Sequence, residues 1–152
     1  MKAVIIEKNP FVQSLLVNTF HRKGYEVVTY SDPTVCPLYS LKSCPCQMKE
    51  SCPGVIVSDY DMPNVNGVEF IEAIRRKRCK CRNIALMSGH SIPKEMLKRA
   101  SHLNVKFFAK PFHRNQINDW LNQVEASVPQ ASQANARPDA PTFSVEDQPS
   151  RQ

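Results

Sequence analysis

Apolar positions along this chain fall into two rhythms that take turns. Five short runs are continuous and rich in β-branched residues: AVIIE (3–7), EVVTY (26–30), VIVSD (55–59), IALMS (84–88) and VKFFA (105–109). Runs of this length and composition predict buried strands. Between them the apolar residues space out to helical intervals. Pro10 opens one helix, with Phe11, Val12, Leu15, Leu16 and Phe20 at helical spacing and Gly24 as a stop after Arg22 and Lys23. Gly67 precedes VEFIEAIRRK, where Phe70, Ile71 and Ile74 form one face. Pro93 opens KEMLKRAS, and a last helix runs from His113 to Glu125 with Ile117, Trp120, Leu121 and Val124 on one side. Strand and helix thus read as alternating five times. The pattern predicts an α/β domain: a doubly wound, five-stranded parallel sheet with helices on both faces.

In such sheets the functional groups collect at the carboxyl ends of the strands. Glu7 follows strand one, Asp59 ends strand three, Ser88 ends strand four and Lys110 follows strand five. Two acids, a hydroxyl and an ammonium are therefore expected to converge on one crevice.

Composition sharpens the boundaries. At 152 residues with 41% hydrophobic content, one domain with a real core is expected. The apolar part of MKAVIIEKNP is too short for a signal-peptide core, and no stretch reaches a membrane-spanning length, so a cytoplasmic protein without a membrane partner is expected. The last 26 residues, from Ser127 onward, are mostly Pro, Ala, Ser and Gln. They are expected to be a disordered tail (127–152) behind a folded domain of residues 1–126.

Charge is uneven. Residues 1–126 hold 18 Lys and Arg against 11 Asp and Glu, but six of the 18 lie in RRKRCKCR (75–82). The remainder is nearly neutral, so the basic character is one local patch. No recognition motif accompanies it, and cations are favoured at a helix C-terminus in any case, so a nucleic-acid partner is not expected.

The motif DYDMPNVNG around Asp59, Ser88 in LMSGH and Lys110 in FAKPF resemble the receiver domain of two-component response regulators, in particular chemotaxis-type single-domain regulators. The resemblance covers residues 1 to about 126 and implies a (βα)5 flavodoxin-like receiver fold. It further implies that Asp59 is the phosphoacceptor, charged by a phosphohistidine on a histidine kinase or phosphotransfer protein. Lys110 and Ser88 would contact the phosphoryl oxygens, and Mg2+ would sit in an acidic pocket. Phe107 would be the switch aromatic that rotates inward when Ser88 moves, and Lys110–Pro111 would be a cis peptide aiming the ammonium into the site. Gly89 would leave the crevice open beside Ser88. With no output domain following, the output is expected to be a protein contact through the usual face, here roughly residues 93–125; a homodimer is left open. Beyond phosphoryl transfer to its own aspartate, no enzymatic activity is implied.

One position departs from the family. Two adjacent acids usually follow strand one, and here the pair is Glu7 and Lys8. An ammonium cannot ligate a hard cation. Either Glu7, Asp59 and Asp61 still hold Mg2+ weakly, or Lys8 pairs with Asp59 and the domain is a degenerate receiver that binds partners without phosphorylation. A further alternative is that Asp59-Tyr60-Asp61 is the D-x-D of a haloacid-dehalogenase phosphatase. Those enzymes need further acids on a strand after the lysine, whereas only Asp119 and Glu125 occur in 111–126, inside a helix.

All six cysteines lie in two segments: Cys36, Cys44, Cys46 and Cys52 in an insertion at 36–52, then Cys79 and Cys81. Cys-x-Cys twice is poor spacing for disulfides and suits thiolate ligation. In the receiver topology both segments leave the sheet at the end opposite Asp59, so they can meet. A structural metal is the expectation, Zn2+ ahead of an iron–sulfur cluster and disulfides third, with a redox-sensitive loop or simply reduced thiols as the alternatives.

Overall fold

The structure is a computed structural model that describes residues 1–45 and 52–129. Five strands, β1 (Lys2–Ile6), β2 (Glu26–Tyr30), β3 (Val55–Asp59), β4 (Asn83–Ser88) and β5 (Lys106–Ala109), form one parallel sheet in the order β2-β1-β3-β4-β5. The helices are α1 (Pro10–Arg22), α2 (Pro37–Ser40), α3 (Gly67–Arg76), α4 (Lys94–Ser101) and α5 (Arg114–Ala126). This is the doubly wound arrangement expected from the pattern. No helix among the described residues is long and apolar enough to cross a membrane. Cys46 and the tail from residue 130 lie outside the described residues.

Alternate residues of each strand point to opposite faces and build two cores. Ala3, Ile5, Val55, Val57, Ala85 and Met87 pack with Leu16 and Phe20 of α1 and Ile117, Trp120 and Leu121 of α5. Val4, Ile6, Ile56, Ile84 and Leu86 pack with Phe70, Ile71 and Ile74 of α3, joined by Cys36, Cys44, Cys79 and Cys81. Four cysteines are thus core residues of the second face.

One expectation is corrected. Phe11 is not part of the α1 core face; it is 85% exposed at the first turn, where Leu16, Thr19 and Phe20 are the buried positions. The second helix is a single turn. Pro33 starts a 3-10 turn at 33–35 and Pro37 restarts the chain as α2, which ends at Ser40. Prolines at positions 33 and 37 lack the N–H that would extend one continuous helix through this segment.

Candidate functional site

The site assembles at the carboxyl edge of the sheet. β1 and β3 are neighbours, with Ile6 opposite Ser58, so Glu7 and Asp59 emerge side by side. Both are buried, Glu7 at 0% and Asp59 at 3% exposure. Lys110, just past β5, reaches across to both: its Nζ lies 2.6 Å from Glu7 Oε2 and 3.2 Å from Asp59 Oδ2. The Lys110 amide donates to the Ser88 carbonyl at 2.8 Å, which ties the end of β5 to β4, and the Lys110–Pro111 bond is cis.

Two buried carboxylates against one ammonium leave the pocket with a net negative charge. The consequence falls on Asp59, whose pKa is raised above 3.8 by burial first and by the Glu7 charge second, with Lys110 opposing both. Asp59 Oδ1 is buried and has no hydrogen bond of good geometry among the described residues, with the Asp61 backbone amide near the carboxylate. A buried carboxylate oxygen without a donor is costly unless a cation or an incoming group takes its place.

Glu7 is held more firmly than its position alone suggests. Its Oε1 accepts the Asn9 backbone N–H at 2.8 Å, and its backbone carbonyl accepts from Gln13 Nε2 at 3.1 Å. Asn9 is also the N-cap of α1, its side chain accepting from the amides of Phe11 and Val12. The start of α1 and the orientation of Glu7 therefore depend on one residue, which the sequence reading passed over. An Asn directly before a proline-led helix was the available signal.

Lys8 does not approach Asp59 in this arrangement. Its Nζ stands 3.9 Å from Asp61 Oδ2, in a pair whose members are 49% and 60% exposed, so the contact contributes little. Asp61 consequently lies at the rim and not in the buried pocket. The donor set fits a hard dication: two buried carboxylates, one with an oxygen that lacks a well-formed hydrogen bond among the described residues, and the Lys8 ammonium directed toward the rim.

Behind Asp59 the chain turns tightly. The Tyr60 amide donates to the Met87 carbonyl at 2.7 Å, and the Gly67 amide donates to the Tyr60 carbonyl at 2.9 Å. Gly67 sits so close that a Cβ would fall 2.5 Å from the Asp59 carbonyl oxygen, 2.6 Å from Leu86 Cδ1 and 2.9 Å from Tyr60 Cα. Asn66 caps α3 in a reciprocal box with Glu69. Gly89 has no such constraint: a Cβ there would make ordinary contact with the Lys110 stem at 3.6 Å, so glycine is not needed to keep the crevice open.

Ser88 bonds within its own loop, and Phe107 is partly in solvent. Ser88 Oγ donates to the His90 carbonyl at 2.6 Å and accepts the His90 N–H at 3.2 Å. Phe107 is 43% exposed, on the face that also presents Leu97. Glu7, Asp59 and Lys110 are thus brought together, while Ser88, Phe107, Asp61 and Lys8 stand around them.

At the opposite edge, Cys44, Cys52 and Cys79 bring their sulfurs within 4.8 Å of one another. The basic stretch 75–82 encloses this edge: Arg75 Nη1 donates to the carbonyls of Cys79 and Cys81 at 3.5 and 2.5 Å, and Lys77 Nζ donates to those of Leu38 and Tyr39.

Comparison with known proteins agrees with this geometry. The family model of the response regulator receiver domain matches residues 3–122. A curated relative, the CAI-1 autoinducer sensor kinase/phosphatase CqsS of Vibrio cholerae, is 28% identical over 130 residues, covering 84% of this chain but 17% of its own length. Among solved structures, the chemotaxis response regulator CheY4 of Vibrio cholerae superposes with a TM-score of 0.63 at 22% identity, over 81% of this chain and 97% of that one. The receiver domain of the sensor histidine kinase PA1611 of Pseudomonas aeruginosa, solved with a magnesium ion in its active-site cleft, gives 0.64 at 18% identity, over 83% and 98%. The family match decides against the dehalogenase alternative for Asp59-Tyr60-Asp61.

Proposed function

The chain belongs to the response regulator receiver family, and from that premise we propose that Asp59 accepts a phosphoryl group from a phosphohistidine and that the charged domain signals by protein contact. Receiver domains are signalling modules of two-component systems that meet histidine kinases or phosphotransfer proteins. The observation that carries the reading is Asp59 itself: a buried carboxylate at the end of β3, one oxygen paired with Lys110 and the other without a well-formed hydrogen bond among the described residues.

In the proposed step an Asp59 oxygen attacks phosphorus, the new O–P bond forms, and the P–N bond breaks with its electron pair left on the imidazole nitrogen. Lys110 lies within reach to pair with a phosphoryl oxygen as its contact to Asp59 loosens. Glu7 and Asp59 would hold a Mg2+ ion, which supplies charge compensation for the phosphoryl oxygens. Glu7 remains oriented by the Asn9 amide throughout. Ser88 would exchange its bonds to His90 for the phosphoryl group, and Phe107 would turn from its exposed position into the space vacated. The altered surface would be that of residues 93–125, where Leu97 and Phe107 are exposed. The proposed setting is the cytoplasm.

Incubation with acetyl phosphate, with and without Mg2+, followed by intact-mass measurement tests the proposal. A Mg2+-dependent phosphoryl adduct is expected on the wild type and none on Asp59→Asn. An adduct that survives in the variant moves the acceptor elsewhere. No adduct on the wild type under either condition favours the phosphorylation-independent binding module that Lys8 first suggested.

A further inference from the structure

The geometry points to a structural Zn2+ site at the amino-terminal edge of the sheet, held by the thiolates of Cys44, Cys52 and Cys79. The sulfurs of Cys44 and Cys52 are 3.6 Å apart, and those of Cys79 and Cys52 are 3.9 Å apart. A tetrahedral ion with Zn–S bonds of about 2.3 Å places its ligand sulfurs about 3.8 Å from one another. Both separations match that edge. A disulfide requires about 2.05 Å, so 3.6 and 3.9 Å are not bonded geometries. In an iron–sulfur cluster at most two cysteine thiolates share one iron, so three sulfurs within 4.8 Å of one another favour a single ion.

The surroundings suit a thiolate cluster. The Lys80 backbone N–H points at Cys52 Sγ at 3.3 Å, a donor that stabilises negative sulfur. That amide is set by the end of α3. Arg78 adopts a left-handed conformation (φ 60°), its amide donates to Arg75 and the Cys79 amide donates to Ile74, so the helix closes with Cys79 turned back over the core. Three thiolates on a dication leave one net negative charge, and Arg75, Lys77, Arg78, Lys80 and Arg82 lie within the same eight residues to offset it.

The two remaining described cysteines, Cys36 and Cys81, fall outside this group of three. Both are buried in the core, and Cys81 Sγ is directed at the Asn83 carbonyl at 3.6 Å. Both are assigned as core thiols outside the metal site. Cys46 lies outside the described residues and is not part of the assignment. The ion would fasten the segment before β3 to the segment before β4, joining the chain on either side of α3.

The experiment uses the full chain, purified without chelator. Elemental analysis is expected to find about one zinc per chain, and Co2+ replacing it is expected to give the visible bands of tetrahedral cobalt with intense sulfur-to-metal charge transfer. Chelator should lower Tm, since an ion bound only by the folded state stabilises it. Cys52→Ser and Cys79→Ser should each lose the metal at least tenfold more readily, while Cys36→Ser and Cys81→Ser should retain it. X-ray absorption should count three or four sulfurs at about 2.3 Å. Because the cobalt spectrum and the sulfur count are read on the unaltered chain, a variant that fails to fold does not obscure the result. Absence of metal after Zn2+ titration, fewer than three sulfurs, or a Cys52–Cys79 disulfide in the purified protein would overturn the assignment.

Discussion

The two edges of one sheet carry opposite chemistries built by different means. At the carboxyl edge, Glu7, Asp59 and Lys110 come from three strand ends far apart in sequence; the parallel ladder places them at one edge, and Asn9 and the reach of Lys110 complete the cluster. At the amino edge, Cys44, Cys52 and Cys79 come from connecting segments, and their approach depends on turns, a helix cap and carbonyls captured by Arg75 and Lys77. The first edge holds hard oxygen donors with excess negative charge. The second holds soft sulfur donors inside a cationic stretch. A strand-end site is as rigid as the sheet, whereas a loop-built site needs its own fastening.

Gly67→Ala strikes hardest at that contrast. Its Cβ would overlap backbone atoms of Asp59 and Tyr60, which cannot move aside cheaply. A loss of about 1–3 kcal/mol is expected, the usual cost of overpacking, read by denaturant unfolding. A rigid carboxyl edge predicts this loss together with impaired phosphorylation; an unchanged midpoint would show that the β3–α3 turn yields.

Asp59→Asn should act in the opposite direction. Folded Asp59 binds its proton more tightly than the unfolded chain does, so its contribution to stability falls as pH rises from about 3.8 through the raised value. The amide removes that burden. Tm of the variant should exceed that of the wild type by a few degrees at neutral pH, and the gain should vanish below pH 3.8, where both states of the wild type are protonated. A gain independent of pH would mean that charge is not the cause.

The smallest expected effect belongs to Lys8. Replacing it by Asp removes a rim cation and adds an oxygen donor, so Mg2+ binding measured by calorimetry should tighten severalfold. Because Lys8 already leans toward Asp61, an unchanged affinity would show that the buried pair Glu7 and Asp59 suffices.

Much of this was legible in the chain. The five runs 3–7, 26–30, 55–59, 84–88 and 105–109 marked the strands to within one residue, because buried parallel strands read as unbroken apolar runs. The convergence of Glu7, Asp59 and Lys110 followed from topology. The direction of each side chain did not. Lys8 turning to Asp61, Ser88 bonding His90 and the Asn9 amide fixing Glu7 depend on local hydrogen bonds with no periodic signature. Phe11 misled because helical spacing does not say which turn of a helix overhangs the sheet. The left-handed Arg78 was hidden for a simpler reason: glycine is the usual residue there, and an arginine gives no hint.

The single turn of α2 has its own consequence. Four residues cannot hold a helix in water without help, since nucleation costs more than one turn returns. The amides of Tyr39, Ser40 and Leu41, bonded to Cys36 and Pro37, therefore stay closed only while Lys77 grips the Leu38 and Tyr39 carbonyls and Leu38 stays in the core. Their protection from solvent exchange is borrowed from α3 across the sheet face, which makes this turn a gauge of how firmly the cysteine-bearing edge is shut.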